Sequence, residues 1–413
     1  MGPPTHPKIA IIGSGLSGLA LALHLSARNI TSTVYEYRPS SYSQGGEIAL
    51  SPNAARVLDH LGIYTELAKQ GFKSDTMTLL NRSGRELGVL KQGSMFGYSA
   101  LRLKRIFVRD ALLKECERRG VKVVFEKEFV MLEERDKKVR VLFEDGEEAT
   151  VDLVIGADGL RSRVREFVDE NAKATYIGTM MIYGNILAET LDAKMGVNGK
   201  RFPMPSMLFG KEGSFTIWPR DPDARELGFF ANILLPDRSR EEWKNTGEDK
   251  GGLKEMLEKC FCQSTWPEQV QTTIRSAPAE EFRIWPVNMV PPLTSWSSPS
   301  KRIVLIGDAA HAITPSGGQG GAIAFEDAET LAYAISKRGE DACLLEKWEM
   351  HRKARVQEVI DFNKLSAKVR EASKYTAMQW TREWFIWSVL KIKGAEGYRW
   401  LYGYDGVVEM AKL

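Results

Sequence analysis

Two hydrophobic periods divide this chain. Residues 8–12 (KIAII), 151–155 (VDLVI) and 302–306 (RIVLI) are short, continuous apolar runs rich in β-branched side chains, the pattern of strands buried on both faces. Helical spacing follows the first run at Leu19, Ala20, Leu23 and Ala27, and returns after the third at Ala324, Ala328, Leu331 and Ile335. A further β run at 33–37 completes a strand, helix, strand unit. Residues 176–235 behave differently: MMIYGNILA, SMLFG, GSFTIWP and LGFFANILL are separated by Gly, Pro and Asp turns, which predicts a mostly antiparallel sheet. After about residue 340 the chain turns helical, with Trp348, His351 and Val356 in a charged amphipathic stretch running towards Lys364. The expected fold is α/β: a Rossmann-like nucleotide-binding domain, an inserted mostly antiparallel β-sheet domain and a C-terminal helical segment.

Glycine-rich turns follow the three buried runs. In GSGLSG (13–18), Gly13 permits a tight turn, Gly15 lets a pyrophosphate approach the backbone, and Gly18 allows close packing of helix on strand. Glu36 falls 18 residues after Gly18, near the end of the next β run, where an acid grips a ribose hydroxyl. Arg38 beside it leaves an opening for an NADP phosphate. The second turn, GADGLRSRVR (156–165), taken alone reads as a strand-end turn leading Ser162, Arg163 and Arg165 into a solvated basic helix. The third, GDAAHAITPSGGQGGAIAFEDA (307–328), places four glycines among residues 317–321 just before a helix, so unpaired backbone N–H groups gather at its positive end. Such a platform suits an anion.

Composition narrows the partners. A chain of 413 residues divides into two or three units, since single cores stop growing beyond about 250–300 residues. Lys and Arg number 57 against 54 Asp and Glu, which points to no nucleic acid. The four cysteines (Cys116, Cys260, Cys262, Cys343) and five histidines are too scattered for a disulfide framework or a metal site. The start carries no signal-peptide pattern, and the late apolar cluster at 384–390 is far shorter than the 18 or so residues of a membrane span, so a cytoplasmic protein is expected.

With these motifs in order, the chain resembles the single-component, FAD-dependent aromatic hydroxylases, the group A flavoprotein monooxygenases. Their fingerprints are an N-terminal GxGxxG, a GADGxxSxVR stretch and a GDAAHxxxPxxGQG stretch ending in an ED pair. The second is matched at Gly156, Ala157, Asp158, Gly159, Ser162, Val164 and Arg165, and the third at Gly307, Asp308, Ala309, Ala310, His311, Pro315, Gly318, Gln319, Gly320, Glu326 and Asp327. The resemblance implies non-covalent FAD, with NADPH or NADH as co-substrate and no separate nicotinamide domain. It implies that Gly13, Gly15, Leu16, Ser17 and Gly18 line the pyrophosphate, that Glu36 and Arg38 sit at the adenosine ribose, and that Gly46 also belongs to the cofactor site. Arg109 would lie along the phosphate and ribityl region, and Asp308 would hold the ribityl chain. Pro315, Gly318, Gly320, Gly321 and Ala322 would face the flavin edge, Ala322 standing where many members carry asparagine. Asp158 and Arg165 would serve both FAD and the transient NAD(P)H, and His311 is expected to be structural.

The resemblance also sets the division of the chain: residues 1–175 and 286–366 as a discontinuous FAD-binding domain, 176–285 as a substrate-binding sheet domain and 367–413 as a C-terminal helical segment. Met181, Tyr183, Phe209, Trp218, Phe230 and Trp285 are candidates to line a pocket for a flat molecule, or else plain core. Tyr183 stands where several relatives place an arginine, and is the candidate hydrogen-bond donor or base for a phenol. The activity implied is hydroxylation or epoxidation of an aromatic or fused heteroaromatic substrate with O2, through a flavin C4a-hydroperoxide. Alternatives on the same fold are a flavin halogenase or an isoprenoid reductase, and from another class a flavin-binding regulatory protein. No Trp-x-Trp of the halogenase kind occurs.

Overall fold

The computed structural model describes residues 7–43, 45–191, 196–197, 200–337, 339, 341, 343–370, 376–394 and 396–413. Residues 1–6, at the start considered above, and residues 371–375 of the expected C-terminal segment lie outside that set. Ile9–Ile12 is the centre of a five-stranded parallel sheet ordered Ile303–Leu305, Leu153–Gly156, Ile9–Ile12, Ser32–Tyr35, Lys122–Val124. Ile12 lies beside both Gly156 and Tyr35, and Gly156 beside Leu305. The three glycine-rich turns therefore leave the sheet at one edge, the carboxyl ends of its strands, where open α/β sheets bind ligands. The helix Leu16–Ser26 packs between Gly320–Lys337 and Arg105–Arg118. Its near-complete burial follows from the all-apolar LALAL run.

The second sheet has seven strands, ordered Arg283–Met289, Thr175–Leu187, Glu226–Leu234, Gly213–Pro219, Ser206–Gly210, Thr76–Asn81, Glu86–Lys91. Every pairing is antiparallel except Ser206–Gly210 with Thr76–Asn81. The sheet thus reaches beyond 176–285 and takes in a hairpin from residues 76–91. Side chains alternate between its faces. One face buries Ile182, Phe215, Phe229 and Ala231 against Leu253, Leu257 and Phe261 of the helix Lys250–Phe261. The strand registers put Met181, Tyr183, Phe209, Trp218, Phe230 and Trp285 together on the other face.

A small sheet, Glu47–Leu50, Ala100–Lys104 and Phe72–Ser74, joins the two halves. Leu50, Leu101 and Leu103 enter the core around the parallel sheet. Glu47 pairs with Lys104 and Ala49 with Arg102, so Glu47, Arg102 and Lys104 share the opposite face. The long helix Leu344–Arg370 follows, and after the helix Thr376–Lys393 the chain docks back through buried Tyr398, Leu401, Tyr402 and Met410. Among the described residues no helix is long and apolar enough to cross a membrane.

Candidate active site

The three glycine motifs touch one another. Gly13 has φ +106°, and a Cβ there would lie 2.5 Å from the Ala157 carbonyl oxygen; one on Gly18 would lie 2.1 Å from the Gly13 oxygen. Both glycines are demanded by the fold itself, the first by its left-handed backbone and the second by close packing. Ser17 lies against Gly307, whose Cβ would come 2.9 Å from Ser17 Oγ, and Leu16 is buried. Gly15 (φ −67°), Gly46 and Gly320 differ: their backbones are ordinary and a Cβ on any of them would meet no atom closer than 3.7 Å. The fold asks for no glycine at these three positions. Each opens onto free space beside the carboxyl edge, as the close approach of a dinucleotide requires. The helix Leu16–Ser26 has no side-chain cap and no acid in its first turn, leaving its N-terminal amides for an anion. The donor set fits FAD.

Around this opening the charged residues divide. Glu36 is buried, and its Oε2 accepts both the Ser14 N–H and the Ser14 hydroxyl at 2.8 Å, while Oε1 accepts the Arg38 N–H at 3.0 Å. Three of about four acceptor positions are used, which leaves room for one ligand hydroxyl. The Arg38 guanidinium stacks on Tyr42 and Tyr37. Asp308 is exposed and has no protein partner among the described residues. Gly318 is exposed with φ +63°, Pro315 starts the single turn before it, and Gly321 lies under Ile48. Ala322 is buried in the core, so its methyl faces away from the opening.

Asp158, Arg165 and Arg109 are engaged within the protein. Asp158 accepts from the Ser162 hydroxyl and from the N–H groups of Arg163 and Val164, capping the helix Val164–Val168. Arg165 is buried rather than solvated, and donates to the carbonyls of Leu160, Ala172 and Ala309 at 2.8 to 3.0 Å. It braces the second motif against the third. Arg109 donates to the Tyr42 carbonyl at 2.8 Å. Arg105, one turn earlier, is exposed, has no side-chain partner among the described residues, and bonds its N–H to the Gly46 carbonyl. Sequence reasoning passed over it because the two arginines stand four apart on one helix.

Behind the third motif lies a closed ionic network. Asp327 accepts the Gly307 N–H at 2.9 Å and Arg352 Nε at 2.9 Å, and lies 2.5 Å from His311 Nε2. Glu326 accepts from Arg352, Arg355 and Asn53 at 2.7 to 3.1 Å. Burial alone would raise both carboxyls; the histidine and Arg352 beside Asp327 hold it down at about 2, and Arg355 and Arg352 keep Glu326 below its ordinary value. Arg352 is 0 % exposed and Arg355 4 %. Both come from the stretch expected to be amphipathic, whose charged side chains turn inward because their partners are on the neighbouring helix. Arg355 also donates to the carbonyls of Trp400 and Leu401, tying the C-terminal return to the same network.

The cleft face of the seven-stranded sheet is aromatic. Tyr183 stacks on Trp285 at 6.4 Å and lies near Phe230, with only a weak 3.9 Å contact from its hydroxyl to Met181 Sδ. Burial and then the nearby Glu47 push the Tyr183 phenol up, which favours the donor role over that of a base. Across the cleft stands Glu47, unforeseen from the sequence. It accepts the Trp218 indole N–H, and its Oε1 lies 2.7 Å from Arg220 Nε. Burial nevertheless leaves its carboxyl raised above the usual range. Arg102, 7 % exposed, has no hydrogen-bond partner among the described residues, and burial draws it down to about 10.

Fold and opening together define a flavin-dependent oxidoreductase, and comparison with known proteins agrees. Residues 7–363 match the FAD binding domain family. The chain is 28% identical over 360 residues to a 6-hydroxynicotinate 3-monooxygenase of Bordetella bronchiseptica, covering 86% of this chain and 89% of that protein. It is 30% identical over 366 residues to a 3-amino-4-hydroxybenzoate 2-monooxygenase of Streptomyces platensis, covering 86% of each. A solved salicylate hydroxylase substrate complex superposes with a TM-score of 0.81 at 20% identity, over 99% of this chain and 98% of that one. The chain belongs to the FAD binding domain family, among the single-component FAD-dependent aromatic monooxygenases. The resemblance drawn from the three motifs holds, and NAD(P)H is the co-substrate typical of these hydroxylases.

Proposed function

We propose that the cleft between the glycine-rich edge and the aromatic sheet face takes a flat aromatic or fused heteroaromatic molecule and that the enzyme hydroxylates or epoxidises it with NAD(P)H and O2. The observation that carries this reading is the common face of Met181, Tyr183, Trp218, Phe230 and Trp285, from which the Trp218 indole N–H reaches Glu47 on the strand that follows Gly46; Phe209, farther along that face, is core, packed with Met77, Leu79, Leu87 and Ile386. Relatives acting on hydroxynicotinate and aminohydroxybenzoate support it. In this reading the FAD-binding part is residues 1–175 and 286–366, less the hairpin lent to the sheet, and 176–285 carries the substrate.

Bound FAD would supply the capacity to take a hydride and activate dioxygen. The chain's own tasks are binding, orientation and exclusion of water. Gly13, Gly15, Leu16, Ser17 and Gly18 would hold the pyrophosphate, Glu36 the ribose, and Asp308 the ribityl chain. Gly320 and Gly321 would present amides to the ring and Pro315 and Gly318 would frame its open edge, Arg105 is the arginine free to meet a phosphate, and Tyr183 would donate a hydrogen bond to the substrate. The test is to supply the FAD-loaded protein with NADPH, isotope-labelled dioxygen and a panel of indoles and phenols, and to analyse the products by mass spectrometry. One labelled oxygen in an aromatic product is expected. Consumption of NADPH with hydrogen peroxide as the sole product for every compound would count against the reading.

A further inference from the structure

We propose that Glu47 contacts the substrate directly and accepts the proton of a ring O–H or N–H, so that the enzyme selects aromatic molecules carrying such a donor. The proposal rests on the aromatic-substrate reading above and names the group that recognises the substrate.

Glu47 immediately follows Gly45 and Gly46, and its neighbour Ile48 covers Gly321, so the residue stands where the cofactor loops meet the substrate sheet. The sheet is shaped to receive it. At Gly228, a Cβ would come 2.7 and 2.8 Å from the two carboxylate oxygens. Oε2 is taken by the Trp218 N–H. Oε1 is different: Arg220 Nε is 2.7 Å away, yet the geometry makes no hydrogen bond, and Nε remains without one. The carboxylate is therefore charge-compensated while Oε1 keeps acceptor capacity, in a side chain only 12% exposed. An acceptor in that condition, at the edge of the cleft and largely shielded from water, is placed to take a donor from a ligand. Tyr183, held protonated, supplies a donor on the same cleft.

The charged groups facing Glu47 are Arg220 from the end of its strand, Arg102 and Lys104 from the paired strand, with Tyr183 across the cleft. Burial outweighs the three cations and raises the carboxyl, which makes it a better proton acceptor than an ordinary glutamate. In turnover the substrate O–H or N–H bond breaks, its electron pair stays on the heteroatom and enriches the ring, and the proton rests on Oε1. The ring proton displaced by the new oxygen leaves with the water formed from O2 and NAD(P)H. The proton on Glu47 returns to the product heteroatom, so the residue ends the cycle ionised.

The test titrates FAD-loaded protein with two matched pairs, naphthol against methoxynaphthalene and indole against N-methylindole, following the flavin absorbance. The wild type is expected to favour the O–H and N–H members by roughly 10- to 100-fold, the range for a hydrogen bond to a charged group. That preference should fade as the pH is lowered through the Glu47 range. In Glu47→Gln the preference and its pH dependence should both disappear with FAD still bound. Gly228→Ala is the second variant: position 228 has no positive φ, so alanine suits the backbone, while its methyl displaces the carboxylate and leaves the charge in place. Wild-type preference retained in both variants would overturn the proposal, and so would loss of FAD or of the fold by both, which would make Glu47 a strut. Binding of neither pair to the wild type would instead overturn the aromatic-substrate reading.

Discussion

The Glu326, Asp327, Arg352, Arg355 cluster is buried and closed, whereas the Glu47, Arg102, Arg220 cluster is only partly buried and open. Each carboxylate behind the third motif meets two or more well-directed donors, and Arg352 bonds to both acids. In the cleft, Arg220 approaches Glu47 without a hydrogen bond, and Arg102 faces Glu47 with no hydrogen-bond partner among the described residues. Both arrangements carry the cost of removing charge from water, and the fold offsets it more fully in the first. A closed network is architecture. An open one, among aromatic side chains and beside a cofactor edge, is left for a ligand to complete.

The contrast is broken most sharply by exchanging the two kinds of arginine for alanine. Arg352→Ala strands two buried acids and should cost about 3–5 kcal/mol, with a large fall in melting temperature and loss of FAD. Arg102→Ala removes a buried cation that faces Glu47 without a hydrogen bond and should lower the melting temperature far less. Equal losses in the two would erase the distinction.

Acid is the next lever. Asp327 is held at about 2 in the folded protein against an ordinary 3.8, so its contribution is complete above the unfolded-state value and drains away as the pH falls towards 2. Roughly 2 kcal/mol should be lost over that window, by the free-energy equivalent of the shift. Denaturation midpoints that stay level from pH 5 to 2 would contradict this.

Asp308→Ala probes the open side. Because Asp308 is exposed and unpartnered, the apoprotein should melt as before while FAD binds about ten-fold more weakly, a difference of about 1.4 kcal/mol. A variant that retains FAD fully in equilibrium dialysis removes the assigned ribityl contact. The smallest effect is expected from Tyr183→Phe, which deletes one donor worth about 0.5–1.5 kcal/mol. Product formation should fall severalfold with FAD content and stability unchanged; an unaltered rate would retire the residue.

Much of this was legible because it is local. Gly13, Gly15 and Gly18 announce a strand-to-helix turn by spacing alone, and the ED pair marks the third motif. Period-two alternation in 176–235 was enough to predict the sheet that carries Met181, Tyr183, Phe209, Trp218 and Phe230, although not to sort cleft from core or to show that they and Trp285 share a face. What escaped depends on distant partners. Thr76–Asn81 joins the sheet only through Ser206–Gly210. Arg352 and Arg355 fall in a stretch that reads only as charged and amphipathic, since the carboxylates they serve lie 26 and 29 residues earlier. Glu47 looks like a loop residue after two glycines until Trp218, 171 residues on, is brought against it.

The parallel pairing of Thr76–Asn81 with Ser206–Gly210 also bears on how the protein is made. At roughly 5–20 residues per second of synthesis, the hairpin waits some 6–25 seconds after emerging before its partner strand exists. Through that interval Met77, Leu79 and Leu80, all buried in the finished protein, are without their cover, and the strand's hydrogen-bonding edge is open. Yield during expression should therefore respond to temperature and to chaperones that hold nascent chains, and a fragment ending near residue 175 would carry that bare edge permanently.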